Sequence, residues 1–125
     1  MILDTCAMLW LAESGGRLSQ RTLKAIGEAP EVRVVAISGF EIARKVFAGK
    51  LRLSKSVDAW FVEVVAHCGL TLIPLDLQIC LKAAALPSLH DDPADRFIIA
   101  AAKIHDCLVV TSDERFPQYG IHTII

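Results

Sequence analysis

Short runs of almost purely apolar residues alternate along this chain with longer stretches that open on a polar residue and close near Gly or Pro. Runs that are apolar throughout, rather than alternately apolar and polar, are typical of strands buried on both faces of a parallel sheet. The pattern therefore predicts an α/β fold with a central parallel sheet. The predicted strands cover residues 2–3, 32–37, 70–73, 108–111 and 121–125.

The intervening stretches carry the start and stop signals of helices. Ser, Thr or Asp stands at their starts, and Gly or Pro follows most of their ends, as is typical of helix termini. Right-handed crossovers would place these helices over the faces of the sheet. The predicted helices cover residues 5–12, 19–29, 38–48, 56–68, 76–86 and 93–105. No repeat or linker interrupts the pattern, so we predict a single domain over residues 1–125.

Composition supports a protein with its own core. The chain has 125 residues, 54% of them hydrophobic, which is sufficient for one folded domain. Its apolar stretches are far shorter than the roughly 20 residues of a transmembrane helix, and its start contains Asp4 but no basic region of a secretory signal. The four cysteines form no CxxC pair, which favours free thiols over zinc or disulfides. We therefore expect a cytoplasmic protein without membrane contact.

The charges are distributed unevenly along the chain. The formal net charge of -1 neither indicates nor excludes a nucleic-acid ligand, because the distribution of charge decides that question. Residues 42–57 contain no acid, and a solvated helix face and a phosphate-binding surface both fit such a segment. Its position directly after Glu41 gives the phosphate-binding interpretation weight. The basic residues of the segment are Arg44, Lys45, Lys50, Arg52 and Lys55.

Four carboxylates stand where a predicted strand ends or a predicted helix begins: Asp4, Glu41, Asp95 and Asp113. The carboxyl ends of parallel strands meet at one edge of a sheet, so we expect these acids to converge there. A cluster of carboxylates without matching cations is costly unless it binds a metal. Mg²⁺ and Mn²⁺ prefer oxygen ligands and activate phosphodiesters for attack by water. The sequence therefore predicts a divalent-metal site suited to phosphodiester hydrolysis.

Each of these acids also has a structural interpretation. Asp4 can cap the first helix, and Glu41 can form a capping box with Ser38. Asp95 can interact favourably with a helix dipole, and Asp113 can be an ordinary turn residue. Asp4 has the weakest structural alternative, because it follows a buried strand, where a charge is usually paired or bound to a metal.

The segment that contains Asp95 is unusually rich in acids. Asp92 and Pro93 suit the cap and the first position of the last predicted helix. Asp91, Asp92 and Asp95 together exceed what one helix start needs, but the sequence does not decide whether His90, Asp91 and Asp92 belong to the site. No pair of histidines has the spacing of a metal-binding motif.

With these acids in this order, the chain resembles a PIN domain, and most closely the VapC family of bacterial toxin ribonucleases. The matching segments run through the whole chain in the order of the family. They are Met-Ile-Leu-Asp-Thr at residues 1–5, Ser-x-x-Glu at 38–41, His-Asp-Asp-Pro-Ala-Asp-Arg at 90–96 and Thr-Ser-Asp at 111–113. The resemblance implies a three-layer α/β/α sandwich with a central parallel β-sheet, and an acidic site that binds Mg²⁺ or Mn²⁺.

The resemblance also implies roles for particular residues. Asp4, Glu41, Asp95 and Asp113 correspond to the acidic quartet, with polar support from Thr5, Ser38 and Thr111. Our hypothesis is that the three aspartates hold the metal directly or through water, that Glu41 orients or deprotonates the attacking water, and that the RNA backbone is held by Arg44, Lys45 and Arg96. The implied partners are an RNA substrate, a cognate antitoxin protein and a second copy in a homodimer.

Two other functions compete with a nuclease. Aspartyl-phosphate phosphatases and receiver-like domains also place an acid after the first strand, but Asp4-Thr5-Cys6 lacks the second aspartate of a DxD motif. The second competing hypothesis is a non-catalytic PIN fold that only binds a partner, although all four acids of the quartet are present. Asp76, which follows another apolar run, is interpreted as a plain helix cap.

Overall fold

A five-stranded parallel sheet forms the centre of the computed structural model, which describes all residues from 1 to 125. Each strand consists mainly of β-branched or leucine residues, which suit a sheet covered on both faces. The strands are β1 (Ile2–Leu3), β2 (Val32–Val35), β3 (Leu70–Ile73), β4 (Val109–Val110) and β5 (Thr123–Ile124). Their order in the sheet is β3-β2-β1-β4-β5, so the predicted parallel sheet is confirmed.

Six α-helices connect the strands. They are α1 (Thr5–Ala12), α2 (Gln20–Glu28), α3 (Ile37–Phe47), α4 (Val57–His67), α5 (Leu77–Ala85) and α6 (Pro93–His105). Polar side chains cap most of their N-termini, among them Ser19, Ser56, Asp76 and Asp92, each accepting a backbone N–H. A short 3₁₀ helix spans Phe116–Tyr119. None of the helices has the length and apolar character required to span a membrane.

Helices cover both faces of the sheet and create two cores. The neighbouring residues Ile2 and Leu3 of β1 are both fully buried, yet they belong to different cores, because successive side chains of a strand point to opposite faces. Ile2 packs in the core that contains Ile98 of α6, whereas Leu3 packs in the core that contains Met8 of α1. The fold is thus the expected three-layer α/β/α sandwich.

The strand order explains where a site can form. The chain runs outward from β1 through β2 to β3, and then returns to place β4 on the other side of β1. In open α/β sheets such a reversal leaves a crevice at the carboxyl ends of the two central strands. Here those ends lead into Asp4 after β1 and Thr111 after β4.

Some predicted boundaries were too long. The last two strands comprise 109–110 and 123–124 rather than 108–111 and 121–125, and β2 ends at Val35 because Ile37 already begins α3. The proposed capping box at Ser38 is wrong. The N-cap position of α3 is Ala36, which makes no side-chain cap, and Ser38 lies inside the helix.

Candidate active site

The four acids converge on one cavity of about 350 Å³ at the carboxyl edge of the sheet. Asp4 follows β1 directly, Glu41 lies in the first turns of α3, Asp95 lies in the first turn of α6, and Asp113 follows β4. The topology brings them together although they are spread over most of the chain. The remaining lining residues are Thr5, Cys6, Lys45, Asp92 and Ser112.

Asp4 is buried, and it lines the cavity while it also caps a helix. Its Oδ1 accepts the Ala7 N–H at 2.7 Å, so it caps α1. Burial raises the pKa of its carboxyl, and the charges of Glu41 and Asp113 raise it further, while the Thr111 hydroxyl and the Ala7 amide lower it. A buried carboxylate with acids as neighbours favours a cation in the same cavity.

Glu41 is held by a chain of hydroxyl groups instead of a capping box. Thr5 Oγ1 donates to Glu41 Oε1 at 2.5 Å and lies 2.9 Å from Ser38 Oγ. The hydroxyl of Thr5 has only one proton. Because this proton goes to Glu41, Ser38 must donate to Thr5. The sequence-predicted polar residues Thr5 and Ser38 are therefore both buried in support of Glu41.

Asp95 has the most perturbed acid–base behaviour in the cavity. Its helix is capped by Asp92, whose Oδ1 accepts the Ala94 N–H at 2.9 Å. Burial, together with the charges of Asp92, Glu41 and Asp4, raises the pKa of Asp95 to about 7 against a lowering effect of His90. At neutral pH a large fraction of this carboxyl is therefore protonated, and a bound metal cation would displace the proton.

Asp113 behaves in the opposite way. Its Oδ1 accepts the Arg115 backbone N–H at 2.9 Å and Arg115 Nε at 3.1 Å, and its Oδ2 accepts Arg115 Nη2 at 2.9 Å. His90 Nε2 lies 2.8 Å from the same Oδ2. Burial alone would raise the pKa of Asp113, but these donors outweigh it and lower the pKa to about 2. Thr111 Oγ1 also accepts the Asp113 N–H at 3.0 Å, which fixes the turn.

His90 is a site residue that the sequence left undecided. Its side chain is fully buried, and its Nε2 lies 2.9 Å from Asp95 Oδ2 as well as 2.8 Å from Asp113 Oδ2. The ligand atoms of these three residues lie within 4.8 Å of one another. The spacing between histidines does not identify His90, because its partners are carboxylates. Its place beside the acid-rich start of α6 was the available signal.

A basic groove adjoins the acidic cavity. It has a volume of about 440 Å³ and shares Glu41, Lys45 and Asp92 with the cavity. Arg44 lines the groove, and so does Phe40, which is 62% exposed. The groove thus combines cations with apolar surface next to the acids. Its other lining residues are Ile37, Ala48, Lys50, Pro93, Ala94 and Phe97.

Arg96 does not join this basic surface. Its Nη1 donates to the Pro87 carbonyl at 2.9 Å, and its Nη2 donates to the Ala83 and Leu86 carbonyls, both at 2.8 Å. These carbonyls lie at the end of α5 and in the loop that follows. Arg96 lines neither the cavity nor the groove. Its guanidinium is engaged in holding α5 against α6, so we do not expect it to contact RNA.

The residues of the cavity fit a hard divalent cation. All four acids offer oxygen donors, which Mg²⁺ and Mn²⁺ prefer over nitrogen and sulfur. Burial and neighbouring acids raise the pKa values of Asp4 and Asp95, so both carboxyls would gain from a proton or another cation. Lys45 is the only lysine or arginine that lines this cavity. A bound cation would offset the remaining negative charge.

An α/β/α sandwich with an acidic cavity at the strand reversal defines a known class. The PIN domain family model matches residues 1–121, and the chain belongs to that family. The relative Ribonuclease VapC22 of Mycobacterium tuberculosis H37Rv is 34% identical over 120 residues, which cover 95% of this chain and 91% of that protein.

Solved structures with low sequence identity share the fold. VapBC2 from Rickettsia felis, bound to a DNA fragment from its promoter, has a TM-score of 0.73 at 13% identity and covers 98% of this chain and 96% of that chain. A toxin-antitoxin complex from Klebsiella pneumoniae has a TM-score of 0.66 at 16% identity and covers 99% of this chain and 95% of that chain.

Proposed function

We propose that this protein is a metal-dependent endoribonuclease that hydrolyses RNA phosphodiester bonds, and that it is the toxin of a toxin–antitoxin pair. One observation carries the proposal: the convergence of Asp4, Glu41, Asp95 and Asp113 on a single cavity next to a basic groove. The relative that is named a ribonuclease matches almost the whole chain. The chemistry of the cavity and the name of the relative point to the same reaction.

Asp4 and Asp95 are the proposed direct ligands of Mg²⁺ or Mn²⁺. An ionised carboxylate offers about four lone-pair positions. Asp113 already accepts three bonds from Arg115 and one from His90, so we propose that it contacts the ion through water. The other two aspartates accept fewer bonds and retain lone pairs for the ion. When bound, such an ion polarises a phosphoryl oxygen and makes water a stronger nucleophile.

Glu41 is the proposed base. The hydroxyl of Thr5 fixes one of its oxygens, which leaves the other free to orient the attacking water and to accept its proton. Attack in line at phosphorus expels the 3′ oxygen of the preceding nucleotide. The products are a 3′-hydroxyl and a 5′-phosphate. Asp113 is a poorer candidate for this base because its pKa is low. Thr5 is also a poorer candidate, because its hydroxyl already donates its proton to Glu41.

The proposed partner is an antitoxin protein, because a solved structure with the same fold is a toxin-antitoxin complex. An antitoxin that covers the cavity and the adjoining groove would keep the nuclease inactive. A cytoplasmic location is part of the proposal, since cellular RNA is the proposed substrate, and so is the homodimer that the family resemblance implies.

The first test is cleavage of RNA by the purified protein, stripped of any bound partner. We expect a mixed pool of tRNA and rRNA to be cut in the presence of Mg²⁺ or Mn²⁺. EDTA should abolish cleavage, and added Mn²⁺ should restore it, because the acids alone cannot activate the phosphodiester. The new 5′ ends should accept label from polynucleotide kinase only after phosphatase treatment.

The rival functions give different results in the same preparation. Cleavage that persists in EDTA, or products with 2′,3′-cyclic phosphate, would contradict the proposed mechanism. A mass increase of one phosphoryl group after incubation with acetyl phosphate would support a receiver-like or phosphatase domain. Mn²⁺ binding without cleavage of any RNA in the pool would favour a non-catalytic binding partner.

A second prediction concerns the basic groove. The double variant Arg44→Gln with Lys45→Gln should bind a short single-stranded RNA about 3- to 30-fold more weakly at low salt. Its plot of log affinity against log salt should be shallower by about 0.7 for each lost phosphate contact. Binding is measured by anisotropy in EDTA, where no cleavage occurs. Arg21→Gln with Lys24→Gln is the matched control, because both residues are exposed on α2 and line neither cavity nor groove.

The control decides how the result is interpreted. Equal slopes for the double variant and the wild type would remove Arg44 and Lys45 from the RNA contacts. A similar loss in the control with Arg21→Gln and Lys24→Gln would show that the effect follows net charge and not the groove.

A further inference from the structure

The hydrogen bonds of His90 determine which of its ring nitrogens carries the proton. His90 Nδ1 lies 3.0 Å from the backbone nitrogen of Asp92 and accepts its N–H. A backbone N–H can only donate, so Nδ1 must be the unprotonated nitrogen. The hydrogen is therefore on Nε2, the atom that lies 2.9 Å from Asp95 Oδ2 and 2.8 Å from Asp113 Oδ2. The side chain that makes these contacts is fully buried.

We propose that His90 is a positioning residue that holds Asp95 and Asp113 together through its Nε2–H, and that it is not a ligand of the metal. This inference rests on the proposed function of the cavity. Ligation through Nε2 would need the lone pair of that nitrogen, and the proton would have to move to Nδ1. There it would face the N–H of Asp92, so two donors would meet in a buried place at 3.0 Å. Such a mismatch costs the full desolvation of a polar group.

The proposed role explains how two carboxylates remain side by side without an ion. Both oxygens approach the same Nε2–H, so one donor reduces the repulsion between Asp95 and Asp113. Arg115 fixes Asp113 from the other side with three hydrogen bonds. Asp95 is thus connected through His90 and Asp113 to the guanidinium of Arg115. Partners that orient metal-binding groups in this way typically contribute about 10- to 100-fold to metal affinity.

Two amide variants separate the two nitrogens of the ring. The side-chain nitrogen of Gln reaches the place of Nε2, so His90→Gln keeps the donor to the carboxylates. The side-chain oxygen of Asn takes the place of Nδ1, so His90→Asn keeps the acceptor for the Asp92 N–H and loses the donor. Both variants place a neutral amide in the same buried position. They differ mainly in which of the two hydrogen bonds they preserve.

The first experiment measures Mn²⁺ binding by calorimetry, with cleavage of RNA recorded at increasing Mn²⁺. We expect His90→Gln to bind Mn²⁺ within about threefold of the wild type and His90→Asn to bind it about 10- to 100-fold more weakly. Saturating Mn²⁺ should return kcat of His90→Asn to within a few-fold of the wild type, because the donor acts through the carboxylates. Melting temperatures in EDTA report how much each variant changes the stability of the metal-free protein.

Several results would overturn the assignment. His90→Asn with wild-type affinity would exclude the positioning role, and equal losses in both variants would indicate a ligand or a purely structural residue. Affinities that only follow the melting temperatures would do the same. A wild type that binds no Mn²⁺ would overturn the proposed function together with the role of His90, which distinguishes that failure from the others.

A measurement on the wild type keeps the proposal testable if neither variant folds. In ¹⁵N-histidine NMR of the Mg²⁺-loaded protein, we expect His90 to be protonated at Nε2 and unprotonated at Nδ1. A proton on Nδ1 in the Mg²⁺-loaded protein would contradict the proposal, since a ligand that binds through Nε2 requires that tautomer.

Discussion

Replacing Asp95 by Asn should lower metal-dependent RNA cleavage by about 10³-fold or more and, at the same time, stabilise the metal-free protein at neutral pH. The loss of activity follows from the proposed ligand role, because removal of even an indirect partner of a metal site costs about 10- to 100-fold. The gain in stability follows from the crowding of acids. Burial and the charges of Asp92, Glu41 and Asp4 make the ionised form of Asp95 unfavourable, and Asn carries no charge.

The same residue gives the metal-free protein a defined pH dependence. Folding raises the pKa of Asp95 from 3.8 to about 7, so the folded state binds a proton more tightly than the unfolded state. The resulting stability is fully present below about pH 4 and is lost as the pH rises towards 7. The loss is at most about 4 kcal/mol. Asp113 acts in the opposite direction, but only below about pH 4, because its pKa is lowered to about 2.

The measurement is urea unfolding in EDTA between pH 5 and pH 8 for the wild type and Asp95→Asn. The wild type should lose stability over this range, and the variant should have a flatter profile. Asp58→Asn is the matched control, since Asp58 is an exposed acid in the first turn of α4. Full cleavage activity in Asp95→Asn would contradict the ligand role, and a pH profile identical to that of the wild type would contradict the raised pKa of Asp95.

Much of the fold could be predicted from local patterns. The central strands are covered on both faces, so β1 appears as an apolar run at residues 2–3, where the structure places it with both side chains fully buried. The predicted bounds of α1 (5–12) and α6 (93–105) match those in the structure. In α6 the signal was the cap by Asp92 followed by Pro93. The acids could be expected at one edge because parallel strands end there together.

Other features depend on contacts that no local pattern contains. Ser38 and Glu41 have the spacing of a capping box, but their hydroxyl and carboxyl groups bind Thr5, which comes more than thirty residues earlier. The tertiary contact replaces the local one. The role of His90 depends on Asp113, which lies 23 residues further along the chain.

Arg96 illustrates the same limit for a charged residue. Its place next to Asp95 suggested contact with phosphate, whereas its hydrogen bonds go to carbonyls at the end of α5. A helix end needs donors for its last carbonyls, and a guanidinium can serve several of them at once. The sequence shows the charge of Arg96 but does not show which acceptors will surround it.

Replacing Glu41 by Gln should separate catalysis from metal binding. We expect kcat for RNA cleavage to fall by about 10²- to 10³-fold, because the amide cannot accept the proton of the attacking water. The Kd for Mn²⁺ should stay within about threefold, since Glu41 is not a proposed ligand. The amide oxygen of Gln can still accept the Thr5 hydroxyl, so the variant should keep the local structure.

Variants of Thr5 provide the matched control for this prediction. Thr5→Ser retains the hydroxyl that donates to Glu41 and should have nearly wild-type kcat. Thr5→Val has a similar shape without the hydroxyl, leaves Glu41 less firmly oriented and should fall between the wild type and Glu41→Gln. Single-turnover cleavage at saturating Mn²⁺ measures the three rates, and calorimetry measures the affinities. Unchanged kcat in Glu41→Gln would exclude Glu41 as the base, and a large loss of Mn²⁺ affinity would make it a ligand instead.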